Sequence, residues 1–86
     1  MEISKLVKSY REAVARLDNL TDAECMNDEL TDRLIDEEVS LQEQIIDVLV
    51  KITNGQIIRS IAEKMILREP QKTCDLLVKY EMALNY

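Results

Sequence analysis

Apolar residues recur at helical spacing along this chain from its first turn onward. In the N-terminal stretch they follow one another at alternating intervals of three and four residues: Ile3, Leu6, Tyr10, Ala13, Leu17 and Leu20. This is the spacing of the core positions of a coiled coil and spans nearly three heptads. It predicts a first helix over about residues 2–19.

Two adjacent apolar rows predict a second and longer helix. The first row reads Leu34, Glu38, Leu41, Ile45, Val48 and Ile52, and the second row reads Ile35, Val39, Gln42, Ile46 and Leu49. Thr21 is followed three residues later by Glu24, the pattern of a capping box at a helix start, and Asn54-Gly55 supplies the left-handed residues that end helices. We therefore expect one helix from Asp22 to about Thr53, with an apolar face wide enough to contact two neighbours.

A third helix and a last helical segment follow. The third helix carries Ile57, Ile58, Ile61, Met65 and Ile66, and the last segment carries Leu76, Leu77, Tyr80 and Leu84. Between them, Glu69-Pro70 breaks or kinks the chain, because proline lacks a backbone donor and disfavours helical geometry in the residue before it. The connection at Gly55 is so short that helices 2 and 3 are expected to be antiparallel neighbours.

The predicted fold is all-α, with a single domain over residues 1–86. Helix 2 packs against helix 3 and the proline-kinked C-terminal segment as an antiparallel helical hairpin. Helix 1 packs on this hairpin, which gives a three-helix bundle or part of a dimeric bundle.

Glu38 interrupts the first apolar row with a carboxylate. A turn centred near Gly55 places Glu38 opposite Lys72 and close to Arg68. We therefore predict an ion pair of Glu38 with Lys72 or Arg68, set into the seam between the two helices, where it fixes their register more than it adds stability.

The second apolar row has no complete cover in this bundle. A helix of about 32 residues would be roughly 48 Å long, whereas helix 1 would be roughly 27 Å long at 1.5 Å per residue. Since helix 1 is too short, we expect a partner to cover the row, either a second copy in a homodimer or a helix of another protein. The predicted partner-binding residues are Ile35, Val39, Gln42, Ile46 and Leu49.

Composition excludes several kinds of site. The 86 residues contain one Gly, one Pro and no His, which favours a few long helices and removes histidine-based triads and histidine-rich zinc sites. No glycine-rich phosphate loop is present. Cys25 and Cys74 lack metal-ligand spacing and are expected to be small buried residues without a disulfide between them. We predict no catalytic residue, metal or cofactor.

Acidic side chains are concentrated in the middle of the chain. The net charge is −6, and residues 18–47 hold eleven acids against Arg33 alone. We do not expect such a chain to bind nucleic acid, because phosphate contacts require a basic face. The sequence shows no secretory signal and no apolar run long enough to span a membrane. We expect a cytoplasmic protein without a nucleic-acid or membrane partner.

These patterns favour a small acidic helical protein–protein interaction module, such as an adaptor, an assembly chaperone or a small regulator, that is not an enzyme and self-associates. Two alternatives stay open. The acidic row could imitate a DNA backbone and inhibit a DNA-binding protein. Alternatively, Asp28, Asp32 and Asp36 with Glu29 could hold magnesium, as in a helical nucleotide pyrophosphohydrolase, although no second acidic pair follows on another helix.

Overall fold

The computed structural model describes residues 3–84, which form five helices packed against one another without any strand. The helices are α1 (Ile3–Asp18), α2 (Asp22–Cys25), α3 (Asp28–Ile52), α4 (Arg59–Arg68) and α5 (Pro70–Leu84). The all-α prediction is confirmed, and α1 agrees with the predicted first helix, whose residue 2 lies outside the described residues. Within residues 3–84, no helix combines the length and the apolar composition that a membrane span requires.

The single long helix predicted from Asp22 is interrupted after one turn. Thr21 and Glu24 form both hydrogen bonds of the predicted capping box, but the helix that they open ends at Cys25. Asn27 then caps α3, because its Oδ1 accepts a hydrogen bond from the backbone N–H of Leu30 at 3.2 Å. Residues 21–29 are all exposed, which corrects the expectation that Cys25 is buried. No buried row therefore holds this segment in a continuous helix, and the asparagine cap prevails.

The end of α3 follows the prediction. Asn54 and Gly55 have φ angles of 53° and 80°, and the Gly55 N–H donates to the carbonyl of Val50 at 2.9 Å. This left-handed turn terminates the helix just after Ile52. Buried Thr53 secures the connection, since its hydroxyl donates to the carbonyl of Leu49 at 2.8 Å.

Helix α1 contacts both α3 and α5 and runs antiparallel to them. The Ser4 N–H donates to Glu81 at 2.8 Å and Arg11 pairs with Asp75 at 2.8 Å, which aligns α1 with α5. Four helices contribute to one core: Leu6, Val7 and Tyr10 from α1, Ile45, Ile46 and Leu49 from α3, Ala62 and Ile66 from α4, and Cys74 and Leu77 from α5.

The chain breaks at Glu69-Pro70, as predicted, but the direction that it takes afterwards differs from the prediction. Pro70 is the first residue of α5, a position where no N–H is needed, and the Thr73 hydroxyl donates to the carbonyl of Glu69 at 2.8 Å. Helix α5 packs mainly against α1 and α4 and does not continue along the N-terminal half of α3, residues 28–39. This half therefore has α1 and α2 as its main neighbours.

Candidate interaction surface

The predicted partner-binding row of α3 is divided by the fold. Ile46 and Leu49 are only 3% and 0% exposed, whereas Ile35 and Val39 are 44% and 49% exposed. Gln42 lies between the two pairs and is half-buried. The prediction is corrected for Ile46 and Leu49, because both belong to the core of the single chain. For the other three residues, partner binding stays a prediction.

Helix α4 explains this division. Its first residue, Arg59, pairs with Asp47 at 2.6 Å, with Glu63 at 3.6 Å and also with Glu43, so α4 is tied to the C-terminal half of α3. The hydrogen bond to Asp47 and the neighbouring carboxylates raise the pKa of Arg59. Because α4 has 10 residues and α3 has 25, α4 covers only part of the row.

Glu38 belongs to a small polar group at the contact of α3 with α1. The Gln42 side-chain amide donates to Glu38 at 3.1 Å, and both residues lie close enough to Tyr10 of α1 to influence its pKa. Burial raises the pKa of Tyr10, the neighbouring amide of Gln42 lowers it, and the charge of Glu38 raises it. The polar interruption of the apolar row therefore faces a buried phenol.

The structure does not bring together the three residues of the predicted seam ion pair. Lys72 pairs with Glu69, one turn before it, at 3.4 Å. Neither Arg68 nor Glu38 forms an ion pair with any residue between 3 and 84. The physical reason is the turn at Glu69-Pro70, after which α5 follows α1 and carries Lys72 along with it.

Exposed carboxylates flank the uncovered part of the row. Asp32, Ile35, Asp36 and Val39 stand at positions i, i+3, i+4 and i+7 of one helix and so share one side of it, which we call the acidic face of α3. Both aspartates are exposed, and neither forms an ion pair with another described residue. Among residues 3–84, no group of three or more Cys, Asp or Glu side chains is arranged to hold a metal ion.

A groove of about 570 Å³ lies on the other side of the N-terminal half of α3. Its lining residues come from α1, α2, α3 and the segment between α1 and α2: Ala15, Arg16, Asn19, Leu20, Glu24, Leu30, Arg33, Leu34 and Glu37. Arg16 pairs with Glu37 at 3.6 Å, and Glu24 is held by hydrogen bonds to Thr21 that lower its pKa. Two cations and two anions line the groove, so its charge favours neither sign of ligand.

A second surface, on α4, was not among the predicted site residues. Ile61 is 47% exposed, whereas Met65 is half-buried and packs against the core. With exposed Lys64 and Arg68, they form a side that we call the basic face of α4, and these four residues line a shallow groove together with Glu69. The sequence signal for this face is the alternation of apolar and basic residues at positions i, i+3, i+4 and i+7.

Comparison of the chain with protein-family models, with curated proteins and with solved structures gave no match.

Proposed function

We propose that this protein is a small cytoplasmic helical interaction module without catalytic activity, and that it binds its partner through the acidic face of α3. The observation that carries this proposal is the exposure of Ile35 and Val39 in a row whose continuation is buried. In the C-terminal half of α3, another helix covers the same row. The uncovered half therefore offers a position for a partner helix.

The energy available at this surface implies a modest affinity that depends on charge. Completing the burial of Ile35 and Val39, each about half exposed, is worth roughly 1 kcal/mol per residue. This is less than the entropic cost of association, so the two aliphatic contacts are insufficient alone. The aspartates beside them supply the further attraction if the partner presents basic residues.

The proposal is tested by removing the apolar part of the face. A tagged chain carrying Ile35→Gln and Val39→Gln should retain less of its partner from native cells than the parent, while thermal unfolding shows that both are folded. Ile58→Gln is the matched control, because Ile58 is 53% exposed and lies outside the face. Equal retention of the same partner by the parent and the double variant would contradict the proposal.

The non-catalytic part of the proposal has its own test. We expect no magnesium-dependent hydrolysis of nucleoside triphosphates by the purified protein. Hydrolysis that is present in the parent and lost in Glu29→Ala/Asp32→Ala would revive the carboxylate site on α3 instead. These two residues are exposed, so the double variant should fold like the parent.

A further inference from the structure

We propose that the acidic face of α3 binds the basic face of α4 in a second copy of this chain. The inference rests on the proposed function and names its partner. Both faces consist of four residues at positions i, i+3, i+4 and i+7 of a helix, and each alternates apolar with charged side chains. The charges are acidic on one face and basic on the other.

The match between the two faces depends on the relative direction of the two helices. When the two helices lie antiparallel, apolar residues meet apolar residues and acids meet bases at every position: Val39 with Ile61, Asp36 with Lys64, Ile35 with Met65, and Asp32 with Arg68. When they lie parallel in the same register, each charged residue meets an apolar one. The pattern therefore favours the antiparallel contact alone.

The two faces do not satisfy each other within one chain. None of the four charged residues forms an ion pair with any residue from 3 to 84. Ile35, Val39 and Ile61 are each close to half exposed. Aspartates one turn apart on a helix repel each other until a cation neutralises them, so a basic face from another molecule relieves this repulsion.

The area that a stable interface must bury also favours a second copy as the partner. A contact between two single helix faces is small, and specific complexes generally bury at least about 1,000 Å² in total. Because every chain carries both faces, a two-fold dimer forms the contact twice and doubles the buried area. Packing α3 on α3 would instead bring two acidic rows together, which like-charge repulsion disfavours.

Complementary charge reversal tests the proposal. One variant carries Asp32→Lys and Asp36→Lys, and the other carries Lys64→Glu and Arg68→Glu. In sedimentation equilibrium from about 5 to 500 µM, we expect the parent to self-associate and each variant to lose roughly tenfold or more in its association constant. An equimolar mixture should associate again, since both contacts of a two-fold dimer are then complementary.

Controls separate the contact from general effects of charge. Lys5→Glu/Lys8→Glu changes the net charge as much as the α4 variant does, on exposed positions of α1, and should associate like the parent. Circular dichroism of each variant reports whether it is folded. Added sodium chloride should weaken the association of the parent, because the attraction between exposed charges is screened.

The possible results distinguish this inference from the proposed function. A parent that stays at the 10.0 kDa monomer mass at every concentration would overturn the second copy as partner. In that case, if the tagged parent retains a different protein from native cells and Ile35→Gln/Val39→Gln does not, the proposed function as an interaction module would still be supported. A parent that associates while both reversal variants associate equally well would overturn the assignment of these faces. Variants that stay monomeric when mixed would overturn the pairing between them.

Discussion

Tyr10 and Cys74 are buried side chains that can lose a proton, and burial is the largest influence on each. It raises the pKa of Tyr10 above the ordinary 10.0 and the pKa of the Cys74 thiol above the ordinary 9.0. The native state therefore keeps protons that the unfolded chain releases. By linkage, the stability that these two groups contribute is complete below about pH 9 and falls as the pH rises further.

We predict that the free energy of unfolding declines above about pH 9 and that Tyr10→Phe reduces this decline above pH 10, because phenylalanine has no proton to release. Urea unfolding of the parent and the variant at a series of pH values from 7 to 11 measures the effect. Equal slopes for both proteins above pH 10 would show that burial of the phenol does not control the alkaline loss.

Glu38 is the residue whose environment was least predictable from the sequence. Its place in an apolar row predicted contact with another helix, and the structure puts it near Tyr10 of α1. Its hydrogen-bond partner, Gln42, lies on the same helix, four residues later. The predicted partner was Lys72 or Arg68, which requires a hairpin that continues along α3 past Pro70. The turn at that proline directs α5 towards α1 instead.

We predict that the free energy of unfolding of Glu38→Leu lies within about 1 kcal/mol of the parent's or above it, because leucine suits a half-buried helix position. Glu38→Ala should be less stable than Glu38→Leu, since it leaves a void. In both variants the pKa of Tyr10 should fall, because a charge that raises it is removed. Urea unfolding measures the change in stability, and the phenolate absorbance of the native protein measures the pKa of Tyr10. An unchanged tyrosine titration would contradict the proximity of Glu38 to Tyr10.

At the scale of helices, the sequence predicted the start or end of a helix correctly where the residues of that segment alone determine it. The capping box at Thr21 and the left-handed turn at Asn54-Gly55 were both predicted and are both present. The cap at Asn27 was missed because its effect depends on what the neighbouring residues bury, and here they bury nothing. The apolar spacing of α3 correctly predicted a helix. It did not predict which residues cover the apolar rows, because those residues belong to distant segments.

The divided row of α3 gives a matched pair of isoleucines for a prediction at this scale. Ile46→Ala should cost about 2–4 kcal/mol of folding free energy, because it opens a cavity in the core. Ile35→Ala should change folding by less than about 1 kcal/mol, since its side chain is 44% exposed. Urea unfolding at a low, fixed protein concentration makes the comparison. Similar losses for both variants would show that the row is covered along its whole length.

For the molecule as a whole, the sequence predicted the helical class but not that α5 packs against α1 and α4. Arg11 pairs with Asp75, 64 residues away, and neither residue stands in a pattern that singles it out. Apolar spacing shows that a helix face is buried without showing what buries it. Helix α5 packs on α1 because the chain turns at Pro70, and this change of direction leaves the acidic face of α3 uncovered.

Because the acidic face of α3 is uncovered and available for association, the protein concentration should affect the stability of the whole molecule. A chain of 86 residues buries a limited core, and any association that requires the folded state stabilises it by mass action. If the dimer forms through the two faces, a tenfold rise in concentration above the dissociation constant adds on the order of 1 kcal/mol per chain. For a domain of this size, that shifts the melting temperature by roughly 4–8 °C.

We predict that the melting temperature of the parent rises with protein concentration and that Ile35→Gln/Val39→Gln abolishes the rise while leaving the value at low concentration nearly unchanged. The low-concentration value is preserved because both side chains lie outside the core. Thermal unfolding by circular dichroism, from about 5 to 500 µM in cells of different path length, covers the required range. If the double variant shows the same rise as the parent, the chains associate through a surface other than the acidic face of α3.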